Sequence, residues 1–173
     1  MALDFPKFAE AVHYICDASQ KRGRHIDAVK LNKVLWYSDA YSYLSTGNSM
    51  TGATYIRKSK GPVPKHILAA IQELERSGKI RRGKEPETGM WHVEYASLAD
   101  PEARVFLPAE QEIVDDVLNY VVFGTTSKAI SDQTHGEIWE IAAEGEEIPL
   151  FTVFAEELGD LTEEHVRAAS YGL

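Results

Sequence analysis

Histidine and carboxylate side chains come closest to a reactive cluster in the segment SDQTHGEIWE, residues 131–140. His135 has Asp132, Glu137 and Glu140 as neighbours in sequence, and an imidazole beside carboxylates is the combination used in acid–base catalysis or metal binding. More often, a histidine in this setting orients a turn by hydrogen bonding. The other five histidines are scattered and none forms a His-x-x-x-His pair. We therefore interpret His135 as structural.

Other signatures of chemistry are missing from the sequence. It contains no P-loop, no dinucleotide-binding fingerprint and no nucleophile elbow. The single cysteine, Cys16, excludes an internal disulfide and a cysteine metal cage. The sequence therefore predicts no enzyme activity, no catalytic residue, no metal and no cofactor. We therefore expect the protein to act by binding a partner.

Basic side chains are concentrated in residues 57–84, although the chain as a whole has a net charge of −9. This segment holds nine basic and two acidic residues, a net charge of +7, whereas residues 101–173 hold three basic and sixteen acidic ones, a net charge of −13. A basic segment in an acidic chain can bind a partner of opposite charge, or it can form ion pairs with the acidic half of its own chain. The candidate partner-binding cations are Lys58, Lys60, Lys65, Arg81 and Arg82.

Aromatic residues crowd the second predicted helix, at Trp36, Tyr37, Tyr41 and Tyr43. These positions span most of the helix circumference, so the four rings cannot all face one core. Exposed Trp and Tyr are favoured anchors for protein partners, which makes Trp36, Tyr37 and Tyr41 candidate partner-binding residues. The alternative is that Trp36 and Tyr43 cover neighbouring helices of the same domain.

The segment KSKGPVPKHI combines flexible and rigid backbone positions among lysines. Gly61 can adopt a positive φ that other residues avoid, while Pro62 and Pro64 fix their own φ, and Val63 is pushed towards extended geometry by the proline after it. We interpret the motif Gly61, Pro62, Val63 and Pro64 as a stiff corner that aims the next helix.

The elements that position these residues are mostly helical. Apolar spacing predicts a helix capped by Asp4, a second beginning at Asp27, a third from Pro64 to the turn at Gly78, a fourth from Pro108 and a last one capped by Thr162. A short strand at 53–58 and a two-stranded ribbon at 79–95 are predicted to share one small antiparallel sheet. The predicted fold class is α+β: a mostly helical single domain over residues 1–173 with a small antiparallel sheet.

Composition places few further limits on the chain. Its 173 residues, 44% hydrophobic and 26% charged, are ordinary for a globular protein. The longest apolar runs, such as LNYVVF at 118–123, are far shorter than the roughly 20 residues of a membrane span. The first residues lack the pattern of a secretory signal. We therefore expect a cytoplasmic protein with no membrane partner.

The order helix, strand, helix and ribbon over residues 27–95 is also that of much of a winged-helix module. There the helix before the ribbon enters the major groove and the ribbon tip contacts phosphate. The lysines at 58, 60 and 65 and the arginines at 81 and 82 suit that geometry. A solvated basic face, or one paired with the acidic half of the chain, explains the same charges. A winged-helix-like DNA-binding regulator is thus the alternative function.

The stretch VKLNKVLWYSDAYSYLSTGNSMTGATYIRKSKGPVP, residues 29–64, resembles the signature of the Panacea domain of SocA-like antitoxins. The segment ISDQTHGEIWEIAAEGEEIPL, residues 130–150, is similar to the C-terminal element of that family, with His135 and Trp139. The family-like core is about 27–150, followed by an acidic helical extension at 151–173. In this chain Lys60 stands where the family often has an aromatic residue. The matching residues of the signature are Lys30, Leu31, Lys33, Leu35, Trp36, Tyr37, Asp39, Thr46, Gly47, Thr51, Gly52, Tyr55, Gly61, Pro62, Val63 and Pro64.

The resemblance implies the antitoxin of a bacterial or phage toxin–antitoxin system, which neutralises a cognate toxin by direct protein–protein binding. One branch of the family acts as a proteolytic adaptor that hands its toxin to the ClpXP protease, so both blockade and delivery stay open. The implied partners are a toxin protein and, for an adaptor, ClpXP, with weak nucleic-acid binding at most. The resemblance does not name the toxin or the face that binds it.

Overall fold

The computed structural model describes residues 2–87, 90–133, 140 and 142–152, and only the backbone for residues 84–87, 90–92 and 133. A 3-10 turn, Ala103–Val105, precedes the fourth helix and a π-helical turn, Asn119–Phe123, follows it. The helices are α1 (Phe5–Lys21), α2 (Ala28–Thr46), α3 (Ile67–Arg76), α4 (Pro108–Leu118) and α5 (Ser127–Gln133). The strands are β1 (Ile26–Asp27), β2 (Tyr55–Lys58), β3 (Gly61–Pro64), β4 (Ile80–Glu87), β5 (Met90–Ser97) and β6 (Glu147–Ile148). The predicted α+β class is confirmed. The helix predicted at Thr162 lies outside the described residues.

The first two helices begin at the aspartates that the sequence indicates. The Asp4 carboxylate accepts a hydrogen bond from the backbone N–H of Lys7 at 3.0 Å, and the Asp27 carboxylate accepts one from Lys30 at 2.9 Å. Each bond satisfies an N–H group that the helix itself leaves without a partner. At the far end of α2, Gly47 takes a left-handed φ of 75° and its N–H bonds to a carbonyl of the last turn.

Charged residues interrupt the longer helices. The 19-residue α2 contains Lys30, Lys33 and Asp39, and the 17-residue α1 contains Glu10 and other ionisable groups. Among the helices of the described ranges, none combines the length and the apolarity needed to cross a membrane.

The strands form two antiparallel sheets, which corrects the single sheet expected from the sequence. One sheet has the order β1–β5–β4 and the other the order β3–β2–β6. β2 cannot pair with the ribbon because both of its edges are occupied, one by β3 and the other by β6, where Tyr55 lies opposite Ile148. The ribbon edge is taken instead by β1, where Ile26 lies opposite Tyr95.

The GPVP segment is an edge strand and not a corner, and α3 begins at Ile67 instead of Pro64. In the ladder with β2, Val63 lies opposite Ile56 and Pro62 opposite Arg57. Successive N–H groups of a strand point to opposite sides, and the N–H of Lys65 donates to the carbonyl of Thr54, the residue before β2. The backbone nitrogens of positions 62 and 64 therefore face away from β2, so the two prolines lose no hydrogen bond of the ladder.

α2 lies at the centre of the described fold. It packs against α1, α4 and α5 and contacts β1, β3 and β5. A helix covered on several sides is apolar around most of its circumference, which explains why its aromatic residues show no single face. The largest buried side chains of the core include Phe8, Ile15, Ile26, Leu31, Leu35, Trp36, Tyr55, Ile71 and Leu118.

Candidate partner-binding site

The β2–β3 hairpin presents three exposed lysines, Lys58, Lys60 and Lys65, which we call the hairpin surface. Its backbone is tied to later parts of the chain. The N–H of Arg57 donates to the carbonyl of Glu146 at 2.8 Å, and the Ser131 hydroxyl donates to the carbonyl of Lys60 at 3.1 Å. Hydrogen bonds to α5 and to the segment around β6 therefore hold the hairpin surface in place.

Gly61 allows the hairpin to turn. Its φ is +102°, so the predicted positive φ is confirmed, and this region disfavours any residue with a Cβ. Gly61, Pro62 and Pro64 are buried, while Val63 is half-buried and packs against the core. The structure thus gives the motif a role in building the hairpin, while the lysines beside it face solvent.

Asp39 fastens the loop after α2 to the helix. Its carboxylate accepts hydrogen bonds from the backbone N–H of Thr51 at 2.8 Å, from the Thr51 hydroxyl at 2.6 Å and from the Tyr55 hydroxyl at 2.8 Å. All three residues are buried. Burial raises the pKa of Asp39, and the bonds from Thr51 and Tyr55 oppose that rise because they favour the carboxylate. The aspartate of the signature is therefore a structural latch.

The two signature lysines on α2 are also turned inwards. The Lys30 ammonium donates to the carbonyls of Val122 at 2.9 Å and Thr125 at 2.8 Å, at the end of the π-helical turn. A cation there satisfies carbonyls that the helix leaves open and complements the negative end of its dipole. Lys33 is 1% exposed, and burial lowers its pKa to about 7.

The aromatic candidates divide between the core and the surface. Trp36 is 2% exposed and packs edge-on against Tyr55, with ring centroids 4.9 Å apart. This burial corrects the expectation that Trp36 contacts a partner. Tyr37 is half-buried and its ring stacks on that of Tyr41. Tyr41 and Tyr43 are exposed to a similar extent, 41% and 40%. Of the four rings, Tyr41 and Tyr43 are the ones most accessible to a partner.

Most of the basic segment is paired with carboxylates of the same chain. Two pairs join the hairpin surface to the acidic half, Lys58 with Glu144 at 3.4 Å and Lys65 with Glu147 at 4.0 Å. These two pairs directly support the alternative that the basic segment pairs with the acidic half of the same chain. Three further pairs are Lys79 with Glu10, Arg76 with Glu73 and Arg82 with Glu75. In the described part of the chain, no ion pair within 4.0 Å involves Lys60 or Arg81.

The element order contains the helix-before-ribbon sequence that the winged-helix alternative predicts, since α3 directly precedes β4 and β5, and β1, which precedes α2, pairs with β5. The charges are less suited to DNA. Arg76 makes a bidentate contact with Glu73, and Arg82 contacts Glu75 at 2.6 Å. Glu73 and Glu75 lie on α3 itself, so carboxylates accompany the cations at the helix that would enter a groove.

An apolar cleft lies beside the hairpin surface, between α2, β2–β3 and α3, with a volume of about 250 Å³. It is small beside the 300–1,000 Å³ typical of small-molecule pockets. Leu68, on its α3 side, is 67% exposed. The apolar residues that line it include Leu31, Ile56, Val63, Ile67, Leu68 and Ile71.

A buried polar cluster escaped the sequence analysis because its members are far apart in the chain. The His13 ring lies 3.2 Å from the Glu10 carboxylate, 3.2 Å from the Ser97 hydroxyl and 3.0 Å from the carbonyl of Ala99. This is the residue set of a hydrolase triad, but the Ser97 hydroxyl donates to Ala99 at 2.8 Å and is buried. Glu10 also accepts from Lys79 at 2.8 Å. The cluster thus joins α1 to β5 and the loop after it.

No group of three potential metal ligands occurs among the residues that the structure describes. His135, Trp139 and Glu137 of the segment SDQTHGEIWE lie outside those residues. The interpretation of His135 as structural therefore stays a prediction.

The buried latch, the inward lysines and the hairpin are all built by signature residues, and a family comparison agrees with them. The family described as "Antitoxin SocA-like, Panacea domain" matches residues 31–140, well over half of the chain. The chain belongs to this family. The match begins on α2 and continues past α5, so the Panacea domain includes the hairpin surface, the apolar cleft and the ribbon.

Comparison of this Panacea domain with curated proteins and with solved structures gave no match. Membership of an antitoxin family indicates a regulatory role with a toxin as the partner.

Proposed function

We propose that this protein is the antitoxin of a bacterial or phage toxin–antitoxin system and neutralises a cognate toxin by binding it directly. The observation that carries the proposal is the family match over residues 31–140. The placement of the signature residues agrees with the family match, since Asp39, Lys30 and Trp36 all have structural roles inside the fold.

The contact face that we propose is the hairpin surface, with Tyr41 on α2 as a second contact. The lysines at 58, 60 and 65 are exposed on a hairpin that is held by hydrogen bonds to two other segments. A preorganised surface binds with a smaller loss of conformational entropy than a mobile one. Tyr41 is large, amphipathic and 41% exposed, as interface anchors are.

Antitoxin and toxin genes lie side by side, so the test begins with the neighbouring reading frame. We expect that frame to stop growth when it is induced alone and to be tolerated when this chain is co-expressed. The purified proteins should form a stable complex at physiological salt. A neighbouring product that is harmless by itself, or that forms no complex with this chain, would contradict the proposal.

Charge reversal then locates the contact face. Lys60→Glu changes the hairpin surface and Arg81→Glu changes the ribbon, and neither substitution breaks an ion pair within the described residues. The two variants are therefore matched in charge and in expected stability. We expect Lys60→Glu to weaken toxin binding and Arg81→Glu to leave it nearly unchanged. If Arg81→Glu weakens toxin binding more than Lys60→Glu does, the contact lies on the ribbon instead.

Neutralisation can proceed by blockade or by delivery to ClpXP, and a turnover assay separates the two. If this chain is an adaptor, purified ClpXP degrades the toxin only when the chain is present, and growth rescue fails in a strain without ClpXP. If it blocks, the toxin stays intact and rescue is independent of the protease.

DNA binding is the second candidate, and the position of α3 directly before the β4–β5 ribbon favours it. Binding through phosphates weakens with salt, with a log–log slope near −0.9 per phosphate neutralised. Because carboxylates accompany Arg76 and Arg82, we expect only weak DNA binding that physiological salt abolishes. Sequence-selective DNA binding that survives such salt, together with no toxin at the locus, would favour the regulator.

A further inference from the structure

Two lysines flank the apolar cleft. Lys58 and Lys65 line the cleft together with apolar side chains of α2, α3 and the hairpin. Leu68 at its α3 side is 67% exposed and therefore accessible to a partner. At about 250 Å³ the cleft suits one or two apolar side chains.

The carboxylates now beside the two lysines are held weakly. Lys58 and Glu144 are 45% and 58% exposed, and Lys65 and Glu147 are 55% and 66% exposed, at separations of 3.4 and 4.0 Å. Exposed pairs of this kind contribute little to stability because water and salt screen them. Carboxylates of an incoming chain can therefore replace Glu144 and Glu147 at small cost.

We propose that the cleft between α2, α3 and the β2–β3 hairpin receives an acidic segment of the toxin, one apolar side chain entering the cleft and carboxylates on either side meeting Lys58 and Lys65. The proposal rests on the antitoxin function and names the chemistry of the partner. A nucleic-acid backbone supplies the negative charge but no apolar group to fill the cleft. An acidic protein segment supplies both.

Two substitutions of exposed leucines test the cleft. Leu68→Glu places a negative charge at its α3 side, and Leu98→Glu makes the same change at a residue that is 55% exposed and does not line the cleft. Both leucines are exposed, so both variants are expected to fold, which circular dichroism verifies. With the toxin from the neighbouring gene, we expect Leu68→Glu to raise the Kd at least tenfold, because it removes the apolar contact and repels the acidic segment, and Leu98→Glu to change it less than twofold.

A photo-crosslinking amino acid at position 68 of the full chain identifies the occupant. We expect an adduct with the toxin, mapped by mass spectrometry to an apolar residue with Asp or Glu within a few positions. Reversing those acidic residues to Lys should lower affinity for the wild-type chain and be partly rescued by Lys58→Glu and Lys65→Glu together.

The outcomes distinguish this proposal from the antitoxin function. If the wild-type chain binds the toxin but Leu68→Glu binds equally well, the cleft proposal is wrong and the antitoxin function stands. An adduct with a second copy of this chain, or with its own residues 153–173, also overturns it. If no toxin binds the wild-type chain, both proposals fail.

Discussion

The latch at Asp39 gives the sharpest test of how the signature residues hold this fold. Replacing Asp39 by Ala leaves three buried donors without an acceptor: the N–H and hydroxyl of Thr51 and the hydroxyl of Tyr55. Thr51 is 0% exposed and Tyr55 is 1% exposed, so water cannot take the place of the carboxylate without local opening.

The magnitude follows from these contacts. Each unsatisfied buried donor costs about 1–3 kcal/mol, so three of them set a range of about 3–9 kcal/mol. Two effects favour the low end: the variant no longer buries a carboxylate whose pKa is raised by desolvation, and contributions within one network are not additive. We expect Asp39→Ala to lower the free energy of unfolding by about 3 kcal/mol. For a chain of this size that is a fall in Tm of about 6–12 °C.

Urea unfolding followed by circular dichroism measures this change as a shift of the midpoint with an unchanged slope. Ser45→Ala is the control on the same helix, because Ser45 is exposed, and it should change stability by less than about 0.5 kcal/mol. Tyr55→Phe removes the hydroxyl and keeps the ring against Trp36. The double variant of Asp39→Ala and Tyr55→Phe should then be less destabilised than the sum of the two single variants.

Two results would refute this reasoning. One is an Asp39→Ala variant within about 1 kcal/mol of the wild type, which would mean that the three donors find other acceptors. The other is strict additivity in the double variant, because residues that share a hydrogen bond are expected to couple by about 0.5–3 kcal/mol.

Three further predictions concern the hairpin and the inward lysines. Gly61→Val should destabilise by about 1–3 kcal/mol in urea because φ is +102°. Gly83→Val should change stability much less, because an added Cβ at this strand position makes only an ordinary contact, 4.0 Å from the carbonyl oxygen of Glu94; equal effects would contradict the φ argument. Lys30→Met should cost about 2 kcal/mol by thermal unfolding because two helix-end carbonyls lose a charged donor, while Lys128→Met, at an 88% exposed side chain, should be neutral. The pKa of Lys33 is about 7 in the folded chain and about 10.4 when unfolded. Between these two pH values the unfolded chain keeps a proton on Lys33 that the folded chain has lost, so the free energy of unfolding should rise from pH 7 to pH 10. Lys33→Met should lack that rise, and an identical pH profile for both proteins would show that burial does not depress this pKa.

Local backbone chemistry determined much of this protein from the sequence alone. Asp4 and Asp27 begin helices because a carboxylate can reach the N–H groups three residues on, whatever the rest of the fold does. Gly61 has a positive φ because only glycine takes that geometry without strain. The residues of the signature likewise lie within one stretch of chain, where their resemblance to the family is visible in the sequence, and the family match agrees with it.

Only the tertiary structure decided which distant segments meet. Which strand pairs with β2 depends on β6, about ninety residues later in the chain, and on β3 taking the other edge. The same holds for Trp36, whose buried ring packs against Tyr55. It holds too for Lys58 and Lys65, whose partner carboxylates lie on the segment before β6 and on β6 itself. Helix caps and turns are set by neighbours within four residues, whereas strand partners, burial and ion pairs are set by long-range packing, which periodicity does not encode.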